Sequence, residues 1–185
     1  MANERMRHFR LVDALGDERI GLEARAHKDD HLDVKIWLRL LSCSTQIERH
    51  VQQQLRSRFR TTLPRFDYLA QLERHPNGLR MTVLSRYLMV TGGNVTGLTD
   101  QLVKEGLVKR VDDPEDRRSY RVQLKPKGRK DFALMATEHA RWLADLFKGL
   151  PTTEKEALYG QLGRLRVNLT QRQDQAPITS RSSKL

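Results

Sequence analysis

Hydrogen-bonding side chains follow one another along a short stretch of the chain, from Thr91 to Gln101. The amides of Asn94 and Gln101 can pair with the edge of an adenine, and the methyl group of Thr96 can contact that of a thymine. Residues of these types, spaced over about three helical turns, therefore suit contacts with nucleic-acid bases.

Three glycines lie in the same stretch: Gly92, Gly93 and Gly97. An interior glycine costs a helix roughly 1 kcal/mol relative to alanine, so three of them need a reason. One interpretation is a tight turn that requires the first two. The other hypothesis is that all three keep the surface low, so that backbone N–H groups near the helix start can meet a phosphate.

A densely charged segment, DDPEDRRS at residues 112–119, follows and contains four acids and two arginines. It separates two strand-like runs, Leu107–Val111 and Tyr120–Leu124, and has the composition of a turn. The pattern predicts a β-hairpin with a long charged tip. A loop that is merely soluble is the alternative.

These residues need elements to position them, and residues 82–106 have the layout of a helix-turn-helix. Thr82 is an N-cap candidate for a helix over Val83–Met89, and Thr91 is placed to cap a second helix that ends at Gly106. Such a second helix can lie in the major groove of DNA. A hairpin directly after it forms a wing whose basic tip can reach the neighbouring minor groove.

Amphipathic helices flank this lobe on both sides. Apolar residues recur at steps of three and four over residues 32–58, and a second helix follows an N-cap at Thr62. A further helix spans residues 127–148, and Thr153-x-x-Glu156 has the spacing of a capping box that opens the last helix. The apolar stripe of the first helix contains Trp37, Leu40, Leu41, Ser44, Ile47, Val51 and Leu55.

The charge is concentrated where these elements lie. The chain has 34 basic and 23 acidic residues, a net charge of +11, and residues 31–130 alone hold 20 and 10, a net +10. This surplus indicates a polyanionic partner, most simply nucleic acid. Without a long apolar run or an apolar leader, neither a membrane span nor secretion is expected. The single cysteine, Cys43, excludes an internal disulfide framework and a cysteine-based zinc site.

Three segments in order resemble the MarR family of winged helix-turn-helix transcriptional regulators. They are LPRFDYLAQL at 63–72, LSRYLMVTGGNVTGLTDQLVKEGLVKR at 84–110, and DDPEDRRSYRVQLKPKGR at 112–129. The resemblance implies a mainly α fold with a small β-hairpin wing, and a homodimer built by the terminal helices. It also implies that the protein binds a pseudo-palindromic site on double-stranded DNA, and that a small ligand weakens this binding.

The resemblance also implies roles in the wing. Asp116 pairs with Arg118 and stiffens the hairpin, which leaves Arg117 to enter the minor groove. Arg86, on the helix before the recognition helix, is expected to contact a phosphate. The complete set of expected DNA contacts is Arg86, Thr91, Gly92, Gly93, Asn94, Thr96, Gly97, Gln101, Arg117 and Arg118.

A ligand pocket between the DNA lobe and the dimer helices is implied by the same resemblance. Its expected lining is Arg39, Arg65, Phe66, Leu69 and Trp142. An apolar wall with an arginine suits an aromatic carboxylate or its CoA thioester. Ordinary core residues together with solvated arginines are the alternative for each position.

The predicted organisation has four parts. Residues 1–30 form an arm or helical extension, with a short helix at Phe9–Leu15. Residues 31–60 and 127–172 form a helical dimerisation domain, and residues 61–126 form the winged helix-turn-helix lobe. The polar segment after Thr170 is expected to be disordered, with residues 173–185 as the tail.

The predicted function is a ligand-responsive dimeric DNA-binding regulator, a repressor, in the bacterial cytoplasm at the nucleoid. One alternative is a nucleoid-type DNA-binding protein without an effector. Another is redox sensing through Cys43, although its apolar neighbours favour a buried structural thiol. An enzyme is not expected, because the six histidines are scattered and no catalytic motif appears. No cofactor is expected, and the isolated His27-x-x-x-His31 spacing is not interpreted as a metal site.

Overall fold

A computed structural model describes residues 15–16, 20–25, 30–88 and 92–175. Most of the predicted Phe9–Leu15 helix and the end of the tail lie outside these ranges. The chain divides into two compact units, Met1–Leu143 and Ala144–Leu185. The first unit holds the predicted winged helix-turn-helix lobe, and the second holds the whole of the last described helix.

The first unit begins with a 3-10 helix, Gly21–Arg25, and then a long helix, α1, at Leu32–Phe59. Arg39 of α1 donates two hydrogen bonds to Glu23 of the 3-10 helix, at 2.9 and 2.7 Å. The predicted N-terminal extension therefore includes a turn of helix that is fixed to α1. Arg60 ends α1 in the left-handed conformation, with φ 51°.

Helix α2 (Leu63–Glu73) follows, with Thr62 at the N-cap as predicted. The Thr62 side chain makes no capping hydrogen bond. Instead the backbone N–H of Leu63 donates to Gln52 Oε1 at 3.0 Å. A side chain of α1 thus replaces the local cap at the start of α2.

The helix-turn-helix consists of α3 (Met81–Leu88) and α4 (Gly92–Lys104). The prediction of Thr82 as an N-cap is wrong, because α3 begins one residue earlier, directly after a short strand, β1 (Leu79–Arg80). Thr91 lies outside the described residues. Gly92 and Gly93 lie within α4 rather than in a preceding turn, because helical hydrogen bonding starts at Gly92.

The wing is longer in strand and shorter in loop than predicted. Strand β2 (Val108–Asp113) pairs antiparallel with β3 (Asp116–Leu124) in regular register from Val108↔Leu124 to Asp112↔Tyr120, and an irregularity then shifts the register so that Asp113 pairs with Asp116. The tip is only Pro114 and Glu115. Strand β1, which the sequence analysis missed, pairs with the other edge of β3 in the order β1-β3-β2.

Helix α5 (Pro126–Leu146) leaves the wing, and α6 (Thr152–Gln175) ends the described chain. The proposed capping box of α6 is wrong: the N–H groups of Glu154 and Lys155 bond to the carbonyl of Pro151, so Thr153 lies inside the helix. Helix α6 also continues to Gln175, so the expected disorder after Thr170, and from residue 173 onward, begins too early.

The core of the first unit lies where α2, α3, α4 and the sheet converge. It is almost entirely apolar, and its members are Val51, Leu55, Phe66, Tyr68, Leu69, Leu72, Leu79, Leu84, Val95, Leu102, Leu107, Val108, Val122, Leu124, Met135 and Trp142. Cys43 is exposed, so the prediction of a buried structural thiol is wrong. Trp37, at the start of the predicted stripe of α1, is 60% exposed.

Candidate nucleic-acid interface

Helix α4 is seated in the lobe by one buried face. Val95, Thr99 and Leu102 are each 0% exposed and lie four and three residues apart, which places them on one side of the helix. The Tyr68 hydroxyl of α2 lies 2.6 Å from Thr99 Oγ1, so this seam also contains a polar contact.

The opposite face of α4 carries the predicted base-reading residues. Gly93, Asn94, Thr96, Gly97 and Gln101 are all exposed. The structure therefore brings these five predicted residues together on one solvent-facing surface. Gly92 opens the same helix, and Arg86 is exposed on α3.

The space above two of the glycines is open. A Cβ atom built at Gly93 or Gly97 would meet nothing within 4 Å apart from the helix's own backbone. Neither glycine has the positive φ that favours this residue in turns. The packing of the described chain therefore does not account for glycine at these two positions.

A cleft of about 470 Å³ runs along this surface between α4 and the start of α2. Asn94, Gly97 and Gln101 line one side of it, and Pro64 and Asp67 line the other. Burial, and secondarily the charge of Glu48, raises the pKa of the Asp67 carboxyl. This side of α4 is thus open to solvent rather than packed against α2.

The wing is held by an acid that the sequence analysis did not single out. Asp113 is 2% exposed, and its carboxylate accepts hydrogen bonds from Arg80 Nε of β1 and, at 3.1 Å, from Arg121 Nε of β3. Its other oxygen accepts the backbone N–H of Glu115 at 2.9 Å. The bond from Arg80 above all holds the pKa of this carboxyl well below its usual range.

A local sequence signal for this role was present. An aspartate whose side chain bonds the N–H two residues further on forms an Asx turn, and Asp113-Pro114-Glu115 has the composition for one. The arginines could not be assigned from sequence, because Arg80 belongs to a strand that was not predicted. The charged tip therefore does contain an acid with a local structural role, at Asp113.

The predicted Asp116–Arg118 pair stays a prediction. The backbone of Arg117 and Arg118 lies at the start of β3, directly after the tight turn. Their side chains are outside what the structure describes. The hairpin nevertheless places both residues at the outer end of the wing.

A second ion pair joins the wing to α4. Arg110 of β2 donates to the Asp100 carboxylate on the exposed side of α4. The same guanidinium lies 5.1 Å from the ring centroid of Tyr120, within the range of a cation–π contact. Because Arg110 binds Asp100, the negative charge on this face of α4 has a neutralising partner.

The five predicted ligand residues are distributed over different surroundings. Arg39 binds Glu23, as described above. Arg65 pairs with Glu105, which lowers the pKa of that carboxyl. Phe66, Leu69 and Trp142 are buried in the core, where the Phe66 ring packs against Phe132 and His139 at centroid distances of 5.4 and 4.8 Å.

Two of these residues line one cleft of about 240 Å³ between α1, α2 and α5. Arg65 and Leu69 contribute to it, whereas Arg39, Phe66 and Trp142 do not. Its other basic side chains are Arg60 and Lys127, and its apolar lining includes Phe59 and Met135. Two carboxylates, Glu105 and Asp131, also line the cleft, which therefore combines apolar walls with three cations and two acids.

Two further features of the described residues bear on other kinds of function. In these ranges no three histidine, cysteine, aspartate or glutamate side chains come together as a metal site would require. Nor does any described helix combine the length and apolar character needed to cross a membrane.

Comparison with known proteins identifies the lobe. A family model described as MarR family matches residues 61–119, which contain α2, the helix-turn-helix and most of the wing. The chain is 28% identical over 129 residues to the transcriptional activatory protein BadR of Rhodopseudomonas palustris, an alignment covering 69% of this chain and 73% of BadR. Two curated regulators of Bacillus subtilis match over about half of their own length, 51% and 47%.

Solved structures share the fold. A MarR family regulator from Silicibacter pomeroyi is 28% identical, with a TM-score of 0.65, and the match covers 78% of this chain and 99% of that one. Sco3205, a MarR family regulator from Streptomyces coelicolor solved in complex with DNA, has a TM-score of 0.66 at 23% identity, covering 77% and 91%. The lobe therefore matches the MarR family, and the family model, the relatives and the solved structures support a MarR family winged helix-turn-helix, DNA-binding transcriptional regulator.

Proposed function

We propose that the protein is a homodimeric repressor that binds a pseudo-palindromic operator and is released by a small aromatic acid. The observation that carries the DNA-reading part is the exposed face of α4. It combines amide and hydroxyl side chains with two glycines that the chain's own packing does not require. Sco3205 was solved with DNA, which supports the same use of the fold.

In this proposal α4 lies in the major groove. Asn94 and Gln101 pair with adenine edges, and Thr96 contacts a thymine methyl group. Gly93 and Gly97 let the helix backbone approach the DNA closely, and the exposed Arg86 binds a phosphate. Thr91 and Gly92 belong to the same expected contact surface at the start of the helix.

The wing acts beside it in the minor groove. Asp113 holds the hairpin through Arg80 and Arg121, so Arg117 is presented from a fixed base at the outer end of β3. A narrow minor groove attracts arginine because its negative potential is enhanced. The pairing of Asp116 with Arg118 would stiffen the same end.

The second unit supports the dimer. Leucines recur on one side of α6 at steps of three and four, and they remain exposed in the single chain: Leu158, Leu162, Leu165 and Leu169. An apolar stripe of this kind needs a partner surface. A second copy related by a two-fold axis covers it and spaces two α4 helices about one DNA turn apart.

The effector site of the proposal is the cleft that Arg65 and Leu69 line. Arg60, Arg65 and Lys127 exceed the two acids of the lining, Glu105 and Asp131, by one positive charge, so a ligand carboxylate would compete with Glu105 for Arg65. Phe59 and Met135 offer apolar contact for a ring. A volume of about 240 Å³ lies below the usual range for drug-sized ligands, which favours an aromatic acid over a whole CoA thioester. A CoA thioester of such an acid would fit only with the nucleotide portion of CoA outside the cleft.

The deciding experiment is a footprint of the protein on the DNA upstream of its own gene, repeated with aromatic acids and their CoA thioesters. The expected result is a protected two-fold site that overlaps the promoter and disappears when an effector is added. Uniform protection without a preferred site would instead indicate a nucleoid-type binder. Because BadR is named an activator, transcription of the same DNA in vitro decides the sign of regulation.

Two matched arginine variants test the cleft. Arg65→Gln should weaken the response to the effector, whereas Arg39→Gln, which removes an arginine that binds Glu23 instead, should leave it unchanged. Equal responses of both variants would remove the cleft from the proposal and leave operator binding standing.

A further inference from the structure

The buried seam of α4 contains one polar position in otherwise apolar surroundings. Thr99 lies between Val95 and Leu102 on the inward face, and it faces Tyr68 of α2. Both Tyr68 and Thr99 are 0% exposed, and their oxygens lie 2.6 Å apart. Two hydroxyl groups have therefore been taken from water at the contact that seats the recognition helix.

The hydrogen bonds at this position form a chain with an assigned direction. Thr99 Oγ1 lies 2.7 Å from the carbonyl oxygen of Val95 and 3.3 Å from Met81 Sδ of α3. A carbonyl oxygen only accepts, and a hydroxyl has one proton to donate. Thr99 therefore donates to Val95, and Tyr68 donates to Thr99.

Each group in this chain is satisfied, and the contacts join three helices. Burial raises the pKa of the Tyr68 hydroxyl to about 12, so the donor keeps its proton at neutral pH. Apolar contacts are not directional and accept small rotations of a helix. A hydroxyl pair is directional, because rotating α4 away would leave two buried hydroxyl groups without partners.

We propose that Tyr68 and Thr99 are positioning residues that fix the rotation of α4 about its axis, and thereby decide which outward side chains reach the base edges. This inference rests on the proposed reading of the operator by α4. Side chains extend to about 5–6 Å from a helix axis. A rotation of about 20° therefore moves their tips by about 2 Å, more than the spread of good hydrogen-bond distances.

The test separates positioning from stability. Tyr68→Phe removes one hydroxyl, Thr99→Val removes the other at nearly constant shape, and the double variant leaves an apolar seam without an unpaired group. DNA duplexes are first selected by the wild-type protein from a random pool. The measured quantity is the ratio of affinities for the selected duplex and for a scrambled duplex of the same composition.

For the double variant we expect that ratio to fall about tenfold, while the thermal midpoint stays within a few degrees of the wild type. A new selection with the double variant should yield a broader consensus. Val51→Ala is the control, because it removes buried volume on α1, outside α4 and outside the Tyr68–Thr99 hydrogen bond. It should lower the midpoint and leave the affinity ratio unchanged.

An unchanged ratio and consensus in the double variant would overturn the inference. If the double variant does not fold, Tyr68→Phe decides alone, since it leaves Thr99 bonded to Val95 and should lower the ratio two- to threefold. If the wild type itself selects no consensus, operator reading by α4 fails and the positioning role fails with it. If the wild type selects a consensus and the variants select the same one, operator reading by α4 stands and only the positioning role of Tyr68 and Thr99 fails.

Discussion

Helix α4 and the wing are neighbours in the same lobe, yet they meet solvent with opposite chemistry. The exposed face of α4 carries amides, a hydroxyl and glycines, and its one acid, Asp100, is bound by Arg110. The wing is densely charged and is anchored by a buried carboxylate, Asp113. Proteins distinguish base edges by hydrogen-bond geometry, whereas they bind phosphates through charge, without regard to sequence. In the proposed function, α4 therefore specifies the site, and the wing adds affinity and shape reading.

Glycine is present for opposite reasons at the base of the wing, where α5 begins, and on α4. Gly128, where α5 leaves the wing, lies against the backbone of Leu107, and a Cβ there would fall 2.1 Å from the Leu107 carbonyl oxygen. Gly97 of α4 has open space in the same position. One glycine is required by packing inside the chain, and the other is free for a partner to approach.

The largest expected effect comes from Gly128→Ala. Because the added methyl group meets backbone, relief requires α5 or the base of the wing to move, which should lower the free energy of unfolding by about 3 kcal/mol. Denaturant unfolding of Gly128→Ala and Gly97→Ala, measured together, checks this. A Gly128→Ala protein as stable as the wild type would mean that the close contact is not present in solution.

Next in size is Asp113→Asn, which should loosen the wing by weakening its bonds to Arg80 and Arg121. The folded-state pKa of Asp113 is lowered, so its contribution to stability is present above the unfolded value of about 3.9 and is lost as pH falls through the folded value. The wild type should therefore exceed the variant in thermal midpoint at neutral pH, and the difference should shrink below about pH 4. A difference independent of pH would exclude the carboxylate as its cause.

Sequence patterns were sufficient where a single element determines its own form. The existence of helix α1, the glycine after α4 and the two wing strands follow from local chemistry, and the winged lobe follows from their order. The predicted apolar stripe of α1 is right only in its second half, because the buried face of the first half contains Leu38 and Ser42 and not Trp37. The failures involve partners far apart in the chain. Strand β1 has only two residues and exists because β3 offers it an edge, and Gln52 replaces a cap that Thr62 was expected to provide.

The candidate site divides in the same way. The outward side chains of α4 were predictable from helical spacing around Val95, Leu98 and Leu102. The ion pairs of Asp113 and Arg110 were not, because each joins residues of different elements. The exposure of Cys43 was missed because its neighbours Leu40 and Leu41 are apolar, although the buried face of α1 passes through Leu38 and Ser42.

Gly97→Ala tests the glycine hypothesis itself. The free energy of unfolding should rise by about 1 kcal/mol, because alanine is the better helix former and nothing in the chain blocks its methyl group. Affinity for the selected operator should nevertheless fall about tenfold if the backbone must approach the DNA closely. If the variant is more stable and its affinity for the operator is unchanged, the hypothesis that the helix backbone must approach the DNA closely is wrong. These glycines would then have no assigned role.

The smallest expected effect is that of Arg117→Ala, at the outer end of the wing. Loss of one phosphate contact should reduce the slope of log affinity against log salt by about 1, and should weaken binding to selected and scrambled duplexes alike. Over a fourfold increase in salt, the variant should lose about three- to fourfold less affinity than the wild type. Arg117→Lys is the matched control, since it keeps the charge and should keep the slope. If affinity falls only for the selected duplex and the salt slope does not change, Arg117 reads bases. The distinction between a helix that specifies the site and a wing that adds affinity would then be lost.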